Sequence, residues 1–508
     1  VILAARFSLL VRGSRLASFG LTAASGAALV LGFAPWSWSA LAPLPMAILF
    51  FQVRSASTKH ALARGYVFGL GLFGGGIAWI HVAVLQFGAG LLVAVPATAA
   101  LVMLLSVFPA AALALAAWAS RPISAIRFTL LPAAWVLCEW LRGWLFTGFP
   151  WLQLGYTQTG SQFAPLLAPM TGVLGLSAIV AFFAAGLAFG IQRGKRRGLV
   201  PLTLLWAIVL LLPWPTLSRL STEPVGDAIE VALVQGNVPQ AVKWHPQDRQ
   251  GIIARYRQLS APYWDSADLI VWPETAIPVI YRDGSTKPFK ALAQRARGSR
   301  ARLITGALRL HGDRVYNSVF DLGSGEFSDK EHLVPFGEYV PFNRWLQPLL
   351  DWLGIDLSNL AAASRMSALS IGNIVAGAPI CYEMAFGAQV ARFAANTQLL
   401  VNISDDAWFG RTIGLWQNLE MARMRAMETG RPVLRATNTG LTAVIDVDGQ
   451  VRKRIAPFSP GVLVTDVVPR TGETPYVRWR DAWIAWLAIT SAGTLALVIS
   501  RAIFASVL

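Results

Sequence analysis

Residues 371–384 read IGNIVAGAPICYEM. An apolar, β-like run, IGNIVA (371–376), gives way to a polar Cys-Tyr-Glu step. That texture predicts a strand ending in a sharp turn, from which Cys381 is presented to a pocket. A lone cysteine in such a place is ordinarily a buried structural residue, but this one has company. Glu274 lies in VWPETAIP (271–278) and Lys330 in DKEHLVPFGEYVP (329–341), each just past a strand-like run. A thiol, a carboxylate and an amine are the parts of an activated nucleophile with its base and its charge stabiliser. Further out, IEVALVQG (229–236), DLIVW (268–272), RLITGAL (302–308), NIVAGAPI (373–380), QLLVNIS (398–404) and LTAVIDV (441–447) read as buried strands. Helical patterns such as WQNLEMARMRAMETG (416–430) lie between some of them. Strands alternating with helices over about 250 residues predict a layered α/β domain.

Composition sets this domain in a different context. The chain is 55% hydrophobic and 14% charged, with mean hydropathy +0.51. Soluble domains carry about 25% charged residues, so much of this chain faces something other than water. The net charge of +16 is not arranged as a basic stripe with interleaved aromatics, which argues against nucleic acid. In a membrane protein such an excess marks cytoplasmic loops and contact with anionic lipid. The two cysteines, Cys138 and Cys381, lie in an apolar and a soluble-looking stretch respectively, an unpromising pair for a disulfide. The five histidines are scattered, without metal-type clustering.

Apolar runs fall near 16–34, 40–53, 61–84, 89–119, 127–146, 163–191, 199–214 and 482–500, which predicts about eight transmembrane helices. The second carries Pro43 and Pro45. Arg6, Arg12 and Arg15 precede the first run, which reads as an uncleaved helix because no small-residue cleavage site follows. Arg54, Lys59 and Arg64 lie between spans two and three, Arg121 and Arg127 between four and five, and Arg193, Lys195, Arg196 and Arg197 between six and seven. The intervening loops, 35–39 and 85–88, carry no Lys or Arg. Positive-inside logic then puts both termini in the cytoplasm and the region from about 220 to 475 on the far side. Arg478 and Arg480 argue mildly the other way, although they abut a folded domain rather than a short loop. The expected organisation is a helical bundle over 1–219, a catalytic domain over 220–475 and a last membrane helix over 476–508.

Glu, Lys and Cys in that order, each beyond a strand and some 50 residues apart, resemble the nitrilase superfamily. Further strings are similar to the apolipoprotein N-acyltransferase family: QGNVPQAVKW (235–244), HLVPFGEYVP (332–341), ICYE (380–383), DAWFG (406–410), RATNTG (435–440) and, in the membrane part, EWLRGWLFTGFPW (139–151). The resemblance implies membrane helices around a nitrilase-like αββα sandwich, with neither cofactor nor metal. It implies an enzyme of the bacterial inner membrane whose catalytic domain faces the periplasm. Such an enzyme takes an acyl chain from a phospholipid donor and transfers it to the α-amino group of the S-diacylglyceryl cysteine of an apolipoprotein. By matching motif, Glu274 resembles the general base, Lys330 the oxyanion stabiliser and Cys381 the nucleophile. Glu338 matches a second carboxylate near the thiol, while Trp244, Tyr382 and Glu383 match residues flanking the site. One departure is Asp405 in ISDDAWFG (403–410), where the resemblance leads one to expect Asn. It is either a solvated turn residue or a charge that alters the site.

The chemistry is consistent on its own terms. A thiol with an ordinary pKa near 8.5 is only a few per cent thiolate at neutral pH. A carboxylate beside it raises that pKa further, so Glu274 serves better as a proton acceptor during attack. A membrane-tethered amidase would use the same three residues with water as acceptor. A transporter with an accessory domain is disfavoured by the few ionisable residues in the spans. Glu139 and Arg142, one turn apart in span five, read either as an interfacial ion pair or as a phospholipid head-group contact.

Overall fold

The computed structural model describes residues 15–86, 88, 90–120, 126–192, 204, 206–208, 217–282, 287–345, 348 and 359–493. Two compact units emerge, one of Val1–His81, Val95–Pro215 and Trp479–Leu508, the other of Val82–Ala94 and Thr216–Arg478.

Among the described residues three helices are long and apolar enough to cross a membrane: Arg15–Gly32, Leu91–Ala119 and Ala164–Gln192. They coincide with the first, fourth and sixth expected spans. The third is broken: Thr58–Gly76 and Ile80–Gln86 meet at a 54° bend, and count as a fourth span only if taken as one. The break follows Gly74-Gly75-Gly76, where three successive residues of poor helix propensity coincide. The second expected span is a shorter apolar helix, Ser39–Val53, and the fifth is the 16-residue Arg127–Arg142. Of the seventh only 204 and 206–208 are described, and the last is described to 493; Arg6, Arg12, Arg121, Arg193, Lys195, Arg196 and Arg197 lie outside the described residues.

Small residues let the helices Arg15–Leu29 and Thr58–Gly76 touch backbone to backbone. A Cβ on Gly26 would meet the Phe68 carbonyl oxygen at 2.1 Å, and one on Gly71 the Ala23 carbonyl oxygen at the same distance. Arg127 is buried, its guanidinium donating to the Val53, Ala56 and Ala117 carbonyls and to Ser120 Oγ. Glu139 accepts from Trp135 Nε1 and the Leu154 N–H, while Arg142 donates to the Phe149 and Trp151 carbonyls. Both side chains therefore hold the segment 149–154 in place, which accounts for them as structural groups.

The second unit is a four-layer sandwich. One sheet runs, in spatial order, Gly461–Val467, Ile229–Gln235, Leu269–Val271, Arg302–His311, Arg314–Asp321 and Phe327–Asp329, with Ile277–Arg282 also paired to Arg302–His311. The other runs Val451–Arg454, Ala443–Ile445, Val433–Thr437, Leu399–Ser404, Ile374–Gly377 and Leu369–Ile371. The centres are parallel, Ile229–Gln235 with Leu269–Val271 and Arg302–His311, and Ile374–Gly377 with Leu399–Ser404 and Val433–Thr437. Antiparallel strands flank them. Parallel strands must be covered on both faces, and the residues comply: LLVNIS (399–404) is buried at every position. Val231, Leu233, Leu269, Val271 and Ile304 from one sheet pack on Leu399, Val401, Ile403, Leu434 and Ala436 from the other. On the outer face of the first sheet lie the helices Arg249–Ser260 and Lys287–Arg297, through Ile252, Tyr256, Phe289 and Leu292. Gly387–Ala394 and Gly414–Thr429 cover the second.

Candidate active site

The turns that follow three strands bring Glu274, Lys330 and Cys381 together. After Leu269–Val271 the chain passes through Trp272 and Pro273 to Glu274, which is buried, and then to Thr275 at φ +47°. The strand Arg302–His311 reaches this turn only because position 306 is glycine. A Cβ there would lie 2.7 Å from Glu274 Cα and 2.6 Å from the Thr275 nitrogen. Glu274 Oε1 accepts from Asn317 Nδ2 at 2.7 Å and Oε2 accepts from the Asp405 backbone N–H at 2.8 Å.

Lys330 follows Phe327–Asp329 and is 1% exposed. Its Nζ lies 2.9 and 2.8 Å from the two oxygens of Glu338 and 3.7 Å from Glu274 Oε1. Asn317 Nδ2 also donates to Glu338 Oε1 at 2.8 Å, and the Val334 N–H to Glu338 Oε2 at 2.8 Å. Burial alone pulls a lysine toward neutrality. The carboxylates of Glu338 and Glu274 outweigh it, so Lys330 is held firmly protonated, above the ordinary lysine range. Glu274 moves the other way: burial raises it, Lys330 lowers it, and Glu338 and Asp405 raise it again, leaving it above the usual carboxylate range.

Cys381 is placed by the strand Ile374–Gly377, continued by a bridge between Ile380 and Ile403. Its φ of +50° is in the left-handed region, costly for a residue with a side chain. The chain thus turns sharply into the short helix Cys381–Ala385, and Cys381 is half-buried as a residue. Burial and the Glu274 carboxylate push the thiol well above its ordinary pKa, Lys330 pulls it down, and a hydrogen bond with Ser404 lowers it further. The resting site therefore holds a thiol, a charged ammonium and a carboxylate of raised proton affinity. Chemically, that set is able to accept a proton from an attacking sulfur and to offer a cation to a developing oxyanion.

Glu383 is fully buried and ties the Cys381 turn to the Lys330 loop. Its Oε2 accepts from the Ile380 N–H at 2.7 Å, and Oε1 from the Glu331 and His332 N–H groups at 2.8 and 3.0 Å. Burial lifts its pKa to about 7 against the pull of Lys330 and these donors. Tyr382 packs edge-on against His332 and Phe386. Trp244 is 38% exposed. It follows directly on Lys243, which reaches the Glu274 carbonyl at 3.1 Å. The structure thus brings Glu274, Lys330, Cys381, Glu338 and Glu383 into one connected set; Tyr382 flanks it, and Trp244 joins it through its chain neighbour.

Three supporting groups escape a reading of the sequence. Asn317, in the strand Arg314–Asp321, holds Glu274 and Glu338 together; the signal was an Asn inside the apolar run VYNSVF. Arg435, wholly buried, chelates Asp406 at 2.8 and 3.0 Å and bonds Asn402 Oδ1, while Asn402 Nδ2 donates to the Pro379 carbonyl just before Cys381. Lys243 is the third. Among the described residues no group of three or more His, Cys, Asp or Glu is placed to hold a metal ion.

Residues 25–186 match the family model described as the apolipoprotein N-acyltransferase N-terminal domain, and 230–476 match that of the carbon-nitrogen hydrolases. An apolipoprotein N-acyltransferase of Methylococcus capsulatus is 39% identical over 485 residues, 94% of each chain. One of Azotobacter vinelandii is 40% identical over 495 residues, 93% of each. Among solved structures, a CN-hydrolase superfamily protein of Xanthomonas campestris aligns over 52% of this chain and 97% of its own, at 18% identity and a TM-score of 0.38. Both family models match in order along a chain whose relatives align over nearly their whole length, and the chain belongs to the apolipoprotein N-acyltransferase family.

Proposed function

We propose that this chain transfers an acyl chain from a phospholipid to the α-amino group of the S-diacylglyceryl cysteine of an apolipoprotein, by way of a thioester on Cys381. The observation that supports it most is the meeting of Glu274, Lys330 and Cys381 in one site of a chain from this family. As Cys381 sulfur attacks the ester carbonyl carbon, Glu274 takes the thiol proton and Lys330 faces the oxyanion. The tetrahedral adduct collapses with loss of the lysophospholipid alkoxide, which takes the proton back from Glu274. The lipoprotein amine then attacks the thioester; Glu274 accepts its proton, the amide forms, and sulfur leaves as thiolate to be reprotonated.

The setting proposed is the bacterial inner membrane, with about eight spans, both termini cytoplasmic and residues 220–475 in the periplasm. The apolar helices and the family support a membrane protein, and the basic loops support the orientation. Both substrates are lipids whose chains approach from the bilayer, and a covalent intermediate lets one leave before the other enters. Glu338, Tyr382, Glu383 and Trp244 are assigned supporting parts, Trp244 as an apolar group shielding the thioester from water. Purified enzyme given phospholipid without acceptor is expected to accumulate a hydroxylamine-sensitive acyl adduct on Cys381 by mass spectrometry. Cys138→Ala keeps the adduct and Cys381→Ala loses it. An adduct that forms only with the acceptor peptide, or survives in Cys381→Ala, would overturn the route.

A further inference from the structure

Lys243 and Asp405 form an ion pair behind Glu274 that the chemical steps do not use. Both side chains are all but sealed from solvent, at 2% and 5% exposure. The ammonium of Lys243 bonds Asp405 Oδ2 directly and donates a second hydrogen bond to the Glu274 backbone carbonyl at 3.1 Å. Asp405 in turn donates its own backbone N–H to Glu274 Oε2 at 2.8 Å. Glu274 is thus gripped at its carbonyl by one member of the pair and at its carboxylate by the other. Asn438 closes the ring, giving Nδ2 to Asp405 Oδ1 at 3.1 Å and to the Val238 carbonyl at 2.8 Å, and accepting from the Val238 N–H at 2.9 Å.

A buried ion pair is seldom a net source of stability, because desolvation offsets attraction. Its placement here gives it another use. We propose that the Lys243–Asp405 pair is the positioning and charge-balancing device of Glu274, orienting the base and cancelling the field of a second carboxylate beside it. The inference rests on the reading of Glu274 as the base that serves Cys381. Asp405, the residue that departs from the Asn implied by the family resemblance, is therefore no solvated turn residue. It brings a negative charge next to Glu274, and Lys243 is its counter-charge. The other charged or titratable groups facing Glu274 are Lys330 and Glu338 from the 330–338 loop and Cys381 from its turn. Tyr256 and Asp406 lie one step further back, the first beside Asp405 and the second beside Cys381.

The test reads Cys381 itself, so it needs no acyl-transfer activity. The rate of Cys381 alkylation by iodoacetamide is followed against pH in full-length protein, with the modified peptide identified by mass spectrometry. Asp405→Asn leaves the Lys243 ammonium uncompensated, which favours the ionised forms of Glu274 and Cys381. The alkylation midpoint is expected to fall by about one pH unit. Adding Lys243→Met removes both charges, and the double variant is expected to return to the wild-type midpoint while its activity stays reduced through the lost grip on Glu274. Lys243→Met alone strands a buried carboxylate and is expected to melt below wild type, with Asp405→Asn recovering the loss. An unchanged midpoint in Asp405→Asn, or a double variant whose midpoint stays displaced with that of Asp405→Asn, would overturn the proposal, as would a Lys243→Met protein that melts with wild type. If the midpoints move as expected and no acyl adduct ever forms on Cys381, the device stands and the acyl-transfer reading falls.

Discussion

Lys330 is the residue on which sequence and structure differ most in character. In isolation it reads as an exposed lysine, or as an amine at a pocket edge that can be exchanged without disturbing the fold. It is instead 1% exposed and clasped by Glu338 at 2.8 Å. Removing it does two things at once. Losing one oxyanion donor costs on the order of 10²–10³ in rate. Two carboxylates are also left buried without their cation, and breaking a buried pair costs about 3–5 kcal/mol. Lys330→Met is therefore expected to lose activity by that factor and to melt well below wild type. Lys330→Met with Glu338→Gln should recover much of the melting temperature and none of the rate. Turnover near wild type in either variant would remove Lys330 from the chemistry. Glu274 and Cys381 were legible in the sequence because each follows an apolar run, and Lys330 through the family-like string HLVPFGEYVP that follows it. Asn317 and Lys243 were not, since their partners are 43 and 162 residues away and only the closed sandwich brings them near.

At the scale of elements, most of the parallel strands were legible because burial on both faces writes them as continuous apolar runs, whereas Val433–Thr437, interrupted by Arg435, and Ile277–Arg282 were not. The edge strands Val451–Arg454 and Phe327–Asp329 were not, being short and partly exposed. Nor was the break after Gly76, where hydropathy stays high while helix propensity fails. Gly306 shows how one strand sets the site. The central strand Arg302–His311 pairs in register with Leu269–Val271 and then passes beneath the Glu274 turn with no room for a side chain. Gly306→Ala must push either the strand or the turn by a few tenths of an ångström or more. Because Asn317 and Asp405 fix the Glu274 carboxylate from elsewhere, the turn cannot shift without loosening those bonds. A misplacement of about 1 Å can cost 10²-fold, and a loss of that order is expected in Gly306→Ala, with secondary structure by circular dichroism retained. A Gly306→Ala enzyme at wild-type rate would show that the turn yields without carrying Glu274 with it.

For the whole molecule, the proposed orientation rests on charges that the folded bundle no longer leaves free. Arg54 donates to the Phe51 carbonyl and stacks over the Phe51 ring, and Arg127 is consumed by the Val53, Ala56 and Ala117 carbonyls. Arg64 is spent on Thr22 and Ser18. The positive-inside effect acts during insertion, before these bonds exist, so their later use does not weaken it. On the proposed orientation the same arginines serve twice, first as insertion signals and then as clasps within the folded unit. The catalytic unit carries its own exposed ion pairs, such as Arg295 with Asp265, which contribute little to stability and nothing to topology. With Cys138 and Cys381 replaced by Ala, a cysteine at Asp265 is expected to react with a membrane-impermeant maleimide added to intact cells with a permeabilised outer membrane. A cysteine at Ser55, beside Arg54 and Lys59, should react only after the inner membrane is opened. Labelling of Ser55→Cys from outside, or protection of Asp265→Cys until lysis, would invert the proposed orientation. It would also put Cys381 on the side opposite to the one proposed for lipoprotein acceptors.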